Sequence, residues 1–288
     1  MKKREKCYQA HGDLFLLTQS PTPMTVSRQR KKNKKTRWNQ EFWIYGRHAT
    51  LAALANPHRS CRRLLLTVAA AAVAGGDLFR LYHSYDHLPQ IEIVEKYMLE
   101  KIVPGVSHQG IAAQVIPLKQ RSLFTIIESL LKKEKALIVV LDQMTDPRNI
   151  GAVLRSADAF GAMAVVMQDL HAPSETGALA RAASGSLEHV PLARTINIAR
   201  TLEMFKAAGF WIIGLEVTAS LSLAQTTRAN RIALVLGSEG RGLRQLVRAQ
   251  CDSLACLPIT GAVQSLNVSN AAAVALYEIT YRGSIQSS

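Results

Sequence analysis

From Ala136 onward, short runs of aliphatic and β-branched residues alternate with helical stretches. The runs are LIVVL, AMAVVM, FWIIGLE, RIALVLG and CLPI; between and after them come a helix following Pro147, one near Leu179, one over 198–208, and a last one from about Val268. Strands that alternate with helices predict an α/β fold with a parallel sheet covered on both faces. The part before it has a different rhythm. From Phe42 to about Pro117 the chain opens with IYGRHATLAAL, passes through a strand-like RRLLLTVAA, and closes on HQGIAAQVIPL, the pattern of a smaller α/β domain. The amphipathic IIESLLKKEKA is expected to join the two. Before Phe42 there is no sustained period. The expected division is therefore a tail over 1–41, a first domain over 42–117, a linker over 118–136 and a parallel-sheet domain over 137–288, with no solenoid-type repeat.

Composition narrows the partners. Of the 288 residues 48% are hydrophobic and 6% aromatic, and no apolar run approaches the roughly 18 to 20 residues of a membrane span. The formal charge of +14 is concentrated at the front: residues 1–41 hold eleven Lys and Arg against three acids, and RQRKKNKKTR alone places seven cations between Arg28 and Arg37. This reads as a disordered basic arm for a polyanion, or else as a solvated tail; Met24 is an alternative start. Cys7, Cys61, Cys251 and Cys256 lack the paired short spacings of a metal or redox site, and LFLL at 14–17 is too short for a signal-peptide core. Structural thiols, no bound metal and a reducing cytoplasm are expected.

Three stretches carry candidate chemistry. LDQMTDPRNIGAVLRSADAFGA, residues 141–162, leaves a strand, turns at Asp146-Pro147 and enters a helix. Asn149 serves there as a helix cap or as a site residue, and Arg155 as a partner of Asp158 or as a site residue. LVLGSEGRGL, 234–243, ends a strand in three glycines around Glu239. Gly237 stands where a backbone must approach a ligand closely, so Gly237→Val is expected to block a pocket without unfolding the domain. The order GxxGxG differs from the GxGxxG of a dinucleotide turn, which argues against a dehydrogenase. LPITGAVQSLNVSNAAAVALYE, 257–278, is a strand, a polar loop and a helix without charge until Glu278, apolar enough to be buried in the domain or between subunits. Asn267 or Ser269 caps it or joins the site.

In this order and spacing the three stretches resemble the signature motifs of the SpoU/TrmH family of ribose 2'-O-methyltransferases, members of the SPOUT superfamily. The likeness covers residues 137–283, and IYGRHATLAAL with HQGIAA resembles the ribosomal-protein-like substrate-binding domain of the subgroup that modifies a guanosine in large-subunit ribosomal RNA. The resemblance implies a trefoil knot in the C-terminal domain, S-adenosylmethionine as cofactor, an RNA substrate and a homodimer. It places Asn149, Arg155, Glu239, Asn267 and Ser269 around the reacting centre and Gly237, Leu257, Ile259 and Leu266 around the cofactor. Arg155 is taken to stabilise a developing alkoxide or a phosphate, since a guanidinium is a poor base. Transfer RNA as substrate, and a catalytically inactive RNA-binding assembly factor, are the alternatives.

Overall fold

The computed structural model describes residues 40–170, 172–226 and 229–282. The basic arm expected over 1–41 therefore lies, apart from Gln40 and Glu41, outside the described residues.

The N-terminal domain runs β1 (Phe42–Tyr45), α1 (Arg47–Ala55), β2 (Cys61–Leu66), α2 (Val68–Ser84), β3 (Ile91–Ile93), α3 (Lys96–Ile102) and β4 (Ile111–Val115). Its sheet has the order β1-β4-β2-β3, with β4 antiparallel to both β1 and β2 and β3 parallel to β2. Thr67 starts α2 by accepting a hydrogen bond from the Ala70 amide, leaving a helix of alanine, valine and glycine for its first two turns.

A helix α4 (Leu123–Leu131) precedes the second sheet. Then follow β5 (Ala136–Leu141), α5 (Pro147–Ala159), β6 (Ala164–Gln168), α6 (Gly177–Ala183), α7 (Ser186–His189), β7 (Leu192–Thr195), α8 (Ile198–Ala207), β8 (Trp211–Leu215), β9 (Arg231–Leu236), α9 (Gln245–Arg248), β10 (Ser253–Ala255) and α10 (Val268–Tyr277), which runs on into a π-helical turn, Glu278–Arg282. All pairings in this sheet are parallel, in the order β10-β8-β9-β5-β6-β7. Alternate residues of a strand serve opposite faces. On one face Val139 and Leu141 of β5 pack with Ile150, Val153 and Leu154 of α5 and Leu276 of α10. On the other, Ile138 and Val140 meet Ile126 and Leu130 of α4 and Leu202 and Phe205 of α8. The segment expected only to join the domains thus covers one face of the sheet.

One strand was expected too late. CLPI is not a strand; β10 is Ser253–Ala255, and Cys256 makes only an isolated bridge to Ser222. The reason is its neighbour: β8 ends at Leu215, opposite Ala255, and leaves nothing further to pair with.

Two features bring the site together. From β5 the chain builds outward through β6 and β7, crosses to the other side, and places β9 next to β5 with β8 and β10 beyond. Connections from β5 and β9 therefore leave in opposite directions, which opens a crevice beyond their carboxyl ends. In addition, α5 and α6 pack very closely because residue 151 is glycine: a Cβ there would sit on the Leu179 carbonyl oxygen and 2.7 Å from the Ala182 Cβ.

The two domains share a polar contact centred on a side chain that water does not reach. The Arg59 side chain is 0% exposed and meets Glu175, before α6, and Glu188 in α7, each at 2.6 Å. Asn56 Nδ2 also donates to Glu188 at 2.8 Å.

Candidate active site

Asp146, not Asn149, caps α5: its carboxylate accepts from the Arg148 amide at 3.0 Å, with Pro147 at the first helical position. The Asn149 side chain is thereby free to face the crevice. Its Nδ2 donates to Glu239 Oε1 at 3.1 Å, and its Oδ1 accepts from Asn267 Nδ2 at 3.2 Å. Asn267 Nδ2 also donates to the same Glu239 oxygen at 2.6 Å. Three segments distant in sequence, the first turn of α5, the loop after β9 and the cap of α10, meet at one carboxylate.

Asn267 has a second task. It caps α10, its Oδ1 accepting from the Ser269 amide at 2.9 Å and from Ser269 Oγ at 2.5 Å. Capping and clustering are therefore joint roles of one side chain. With Asn267 so engaged, Glu239 Oε2 is left without a partner among the described residues.

Beside the cluster, at the ends of β8 and β9, lies a cavity of about 620 Å³. Gly237, Leu257, Ile259 and Leu266 all line it, together with Glu239 and Asn267. Glu216, Val217 and Thr218, which follow β8, line it too and were not anticipated. The FWIIGLE run ends on Glu216, but only the strand order shows that β8 lies beside β9. Asp142 was also missed. It is fully buried, accepts from the Arg244 amide at 3.0 Å and pairs with its guanidinium at 2.6 Å, so the loop after β5 anchors the far end of the glycine loop.

Two expectations change. The space where a Cβ of Gly237 would go is filled by the backbone of Gly242, its own loop, and by Leu243 N at 2.6 Å. The glycine is needed for the loop to close on itself, so Gly237→Val disrupts the loop and does not simply fill a pocket. Arg155 is not drawn into the Asn149–Glu239–Asn267 cluster: it is exposed on α5, and no side-chain partner is present among the described residues. Nor does it pair with Asp158, which faces His189 Nδ1 at 3.1 Å.

The described cysteines are free thiols, and burial pushes Cys61 up to about 11 and Cys251 up to about 12, which leaves both protonated and unreactive at neutral pH. The chemistry on offer is that of amides, one anchored carboxylate, arginines and a glycine loop beside an apolar-walled crevice.

That combination at a sheet switch point defines the class: an α/β domain with a crevice suited to a flat, nucleotide-like molecule beside a polar cluster. Comparison supplies the family. The model of the SpoU rRNA Methylase family matches residues 136–277, and that for RNA 2'-O ribose methyltransferase substrate binding matches residues 43–121. The chain is 39% identical over 242 residues to the 23S rRNA (guanosine-2'-O-)-methyltransferase RlmB of Pasteurella multocida, covering 82% of this chain and 96% of that protein. It is 36% identical to an uncharacterized tRNA/rRNA methyltransferase of Synechocystis, of which it spans 61%. Among solved structures, the SpoU methyltransferase AviRb of Streptomyces viridochromogenes, in complex with AdoMet, has the same fold with a TM-score of 0.70 at 23% identity, over 89% of this chain and 94% of that one. The AdoMet-bound rRNA methyltransferase of Sinorhizobium meliloti gives a TM-score of 0.69 at 21% identity, over 89% and 92%. This chain belongs to the SpoU rRNA methylase family.

Proposed function

We propose that the protein transfers a methyl group from S-adenosylmethionine to a ribose 2'-hydroxyl of RNA, at a guanosine of large-subunit ribosomal RNA. The observation that carries this is the meeting of Asn149, Glu239 and Asn267 at the edge of the 620 Å³ cavity. The likeness to the Pasteurella enzyme, over nearly its whole length, supports the substrate.

The cavity fits the cofactor in size and donor set. Leu257, Ile259 and Leu266 offer apolar surface for adenine, and Glu216 and Thr218 offer polar groups for the sugar and amino acid parts. When bound, S-adenosylmethionine supplies an electrophilic methyl group. The chain's own residues do the rest by orientation and charge. Asn149 and Asn267 fix Glu239 through Oε1, leaving Oε2 to hold the ribose hydroxyl and receive its proton. Ser269 keeps Asn267 in place. Arg155, exposed and without a side-chain partner among the described residues, neutralises an RNA phosphate or the developing alkoxide.

The same proposal divides the labour, with 42–117 engaging RNA, 118–136 connecting, 137–288 performing transfer, and the arm over 1–41 adding charge. Homodimerisation fits α10, whose outer side exposes Val274 and Tyr277, with Tyr277 and Tyr281 both ringed against Phe160. The trefoil knot is part of this reading, with 257–267 passing through the loop that closes the cavity. A cytoplasmic setting suits the free thiols.

The test is to map 2'-O-methyl marks in ribosomal and transfer RNA from cells with and without the protein. Loss of one mark in 23S ribosomal RNA is expected. Loss confined to transfer RNA would move the substrate, and no loss would refute the function.

A further inference from the structure

Among the described residues, the charged groups that line the 620 Å³ cavity are Glu216, Glu239 and Arg241. Both acids are engaged. Glu216 lies 3.3 Å from Arg248, which is not part of the lining, and Glu239 is held by Asn149 and Asn267. Arg241 is the one cation of the lining, and its side chain has neither a carboxylate nor another hydrogen-bond acceptor among the described residues. The next arginines along the chain differ in this respect: Arg244 pairs with Asp142 and Arg248 with Glu216.

The backbone around Arg241 is nonetheless held. Gly242 N donates to the Ser238 carbonyl oxygen at 3.0 Å, and Gly240 and Gly242 take φ of 82° and 64°, so the loop doubles back with 239–241 at its tip. Before the tip, Glu239 is fixed by two side-chain amides; after it, Leu243 is buried and Arg244 is tied to Asp142 through both its amide and its guanidinium. Arg241 is therefore presented at a set place, with only its side chain left to order when a ligand arrives.

These charges constrain what the cavity can take. The proposed cofactor carries one anion, the carboxylate of its amino-acid part, and two cations, the ammonium and the sulfonium. Glu216 and Glu239 suit the cations and repel the carboxylate, so the carboxylate is accommodated only where Arg241 meets it. A planar guanidinium can do so with two parallel hydrogen bonds.

We propose that Arg241 binds the carboxylate of S-adenosylmethionine. This rests on the methylating function above and adds to it the residue that recognises the amino-acid part of the donor. An RNA phosphate is the other anion that could reach the loop; the carboxylate is favoured because Arg241 lines the same cavity as Leu257, Ile259 and Leu266.

The test is a two-by-two comparison by calorimetric titration: wild type and Arg241→Gln, each with S-adenosylmethionine and with decarboxylated S-adenosylmethionine, which lacks the carboxylate alone. Removing either partner is expected to weaken binding about tenfold. Removing both should cost no more than removing one, so that the decarboxylated compound binds the two proteins alike, which also shows the variant's cavity to be intact. Unchanged S-adenosylmethionine affinity in Arg241→Gln would overturn the proposal, and if the KM for in vitro transcribed 23S ribosomal RNA rose at the same time, Arg241 would belong to a phosphate. A variant that loses affinity equally for both compounds would overturn it too, since the loss would not depend on the carboxylate. A wild-type chain that binds neither compound would sink the methylating function along with it.

Discussion

The carboxylate of Glu239 accepts from two side-chain amides through one oxygen, while the other has no partner among the described residues, and the proposed function assigns that second oxygen to the ribose hydroxyl. Arg155 stands outside that cluster, exposed on α5, and the proposed function gives its planar charged fork the task of meeting a phosphate or the developing alkoxide. Arg155→Lys is therefore expected to keep the fold and most RNA affinity but to lose most turnover in single-turnover assays; near-normal rates would remove it from the chemistry. Gly237 has a different kind of necessity. Since its missing Cβ makes room for Gly242, Gly237→Val is expected to lower Tm and cofactor affinity together, whereas loss of affinity at unchanged Tm would restore the simple blocked-pocket picture. Asn149, Glu239 and Asn267 were legible as candidates only through the likeness of the three stretches to the family's motifs, since a polar residue at a helix start or in a glycine turn is by itself as well read as a cap or a solvated turn. The sequence left open whether Asn149 capped its helix, and Asp146 two residues before its helix-turn partner Arg148 resolved that only once hydrogen bonds were seen.

Among the elements, α5 is the one on which the site depends. Its first turn carries Asn149, its apolar side packs the sheet, and at Gly151 it lies against the backbone of α6. Gly151→Val forces these helices apart at an overpacking cost of about 2–3 kcal/mol. Calorimetry should show Tm lowered by about 5–10 °C, and an unchanged Tm would mean that α6 shifts freely. Strand and helix positions were mostly readable from period, because apolar runs and caps are local properties. The end of β10 was not, since Ser253–Ala255 stops where its partner β8 stops, and a strand's length is then decided by another part of the chain. Glu216 and Asp142 escaped for the same reason: their importance lies in which strand is adjacent.

At the scale of the whole molecule, the domains are tied by Arg59, whose guanidinium bridges Glu175 and Glu188 out of contact with water. Burial pushes the Glu175 carboxyl up even with Arg59 beside it. Arg59→Met leaves two carboxylates without their cation, at a cost of about 3–5 kcal/mol at neutral pH. The folded-state pKa of Glu175 then stands further above its unfolded value, so the native state binds more protons, and the variant should regain stability as pH falls. Denaturant midpoints from pH 8 down to pH 5 check this; a deficit that does not shrink toward acid would contradict it. Nothing in periodicity linked Arg59 to residues more than a hundred positions away.

The central claim is ribose methylation through the Glu239 cluster, and the most direct measurement is transfer of labelled methyl from S-adenosylmethionine to 23S ribosomal RNA by the purified full-length chain, followed by nucleoside analysis. The account predicts label in 2'-O-methylguanosine, with the isosteric Glu239→Gln slowed about 100-fold or more while remaining folded. Label in a base, no label at all, or a Glu239→Gln variant as fast as the wild type would contradict it.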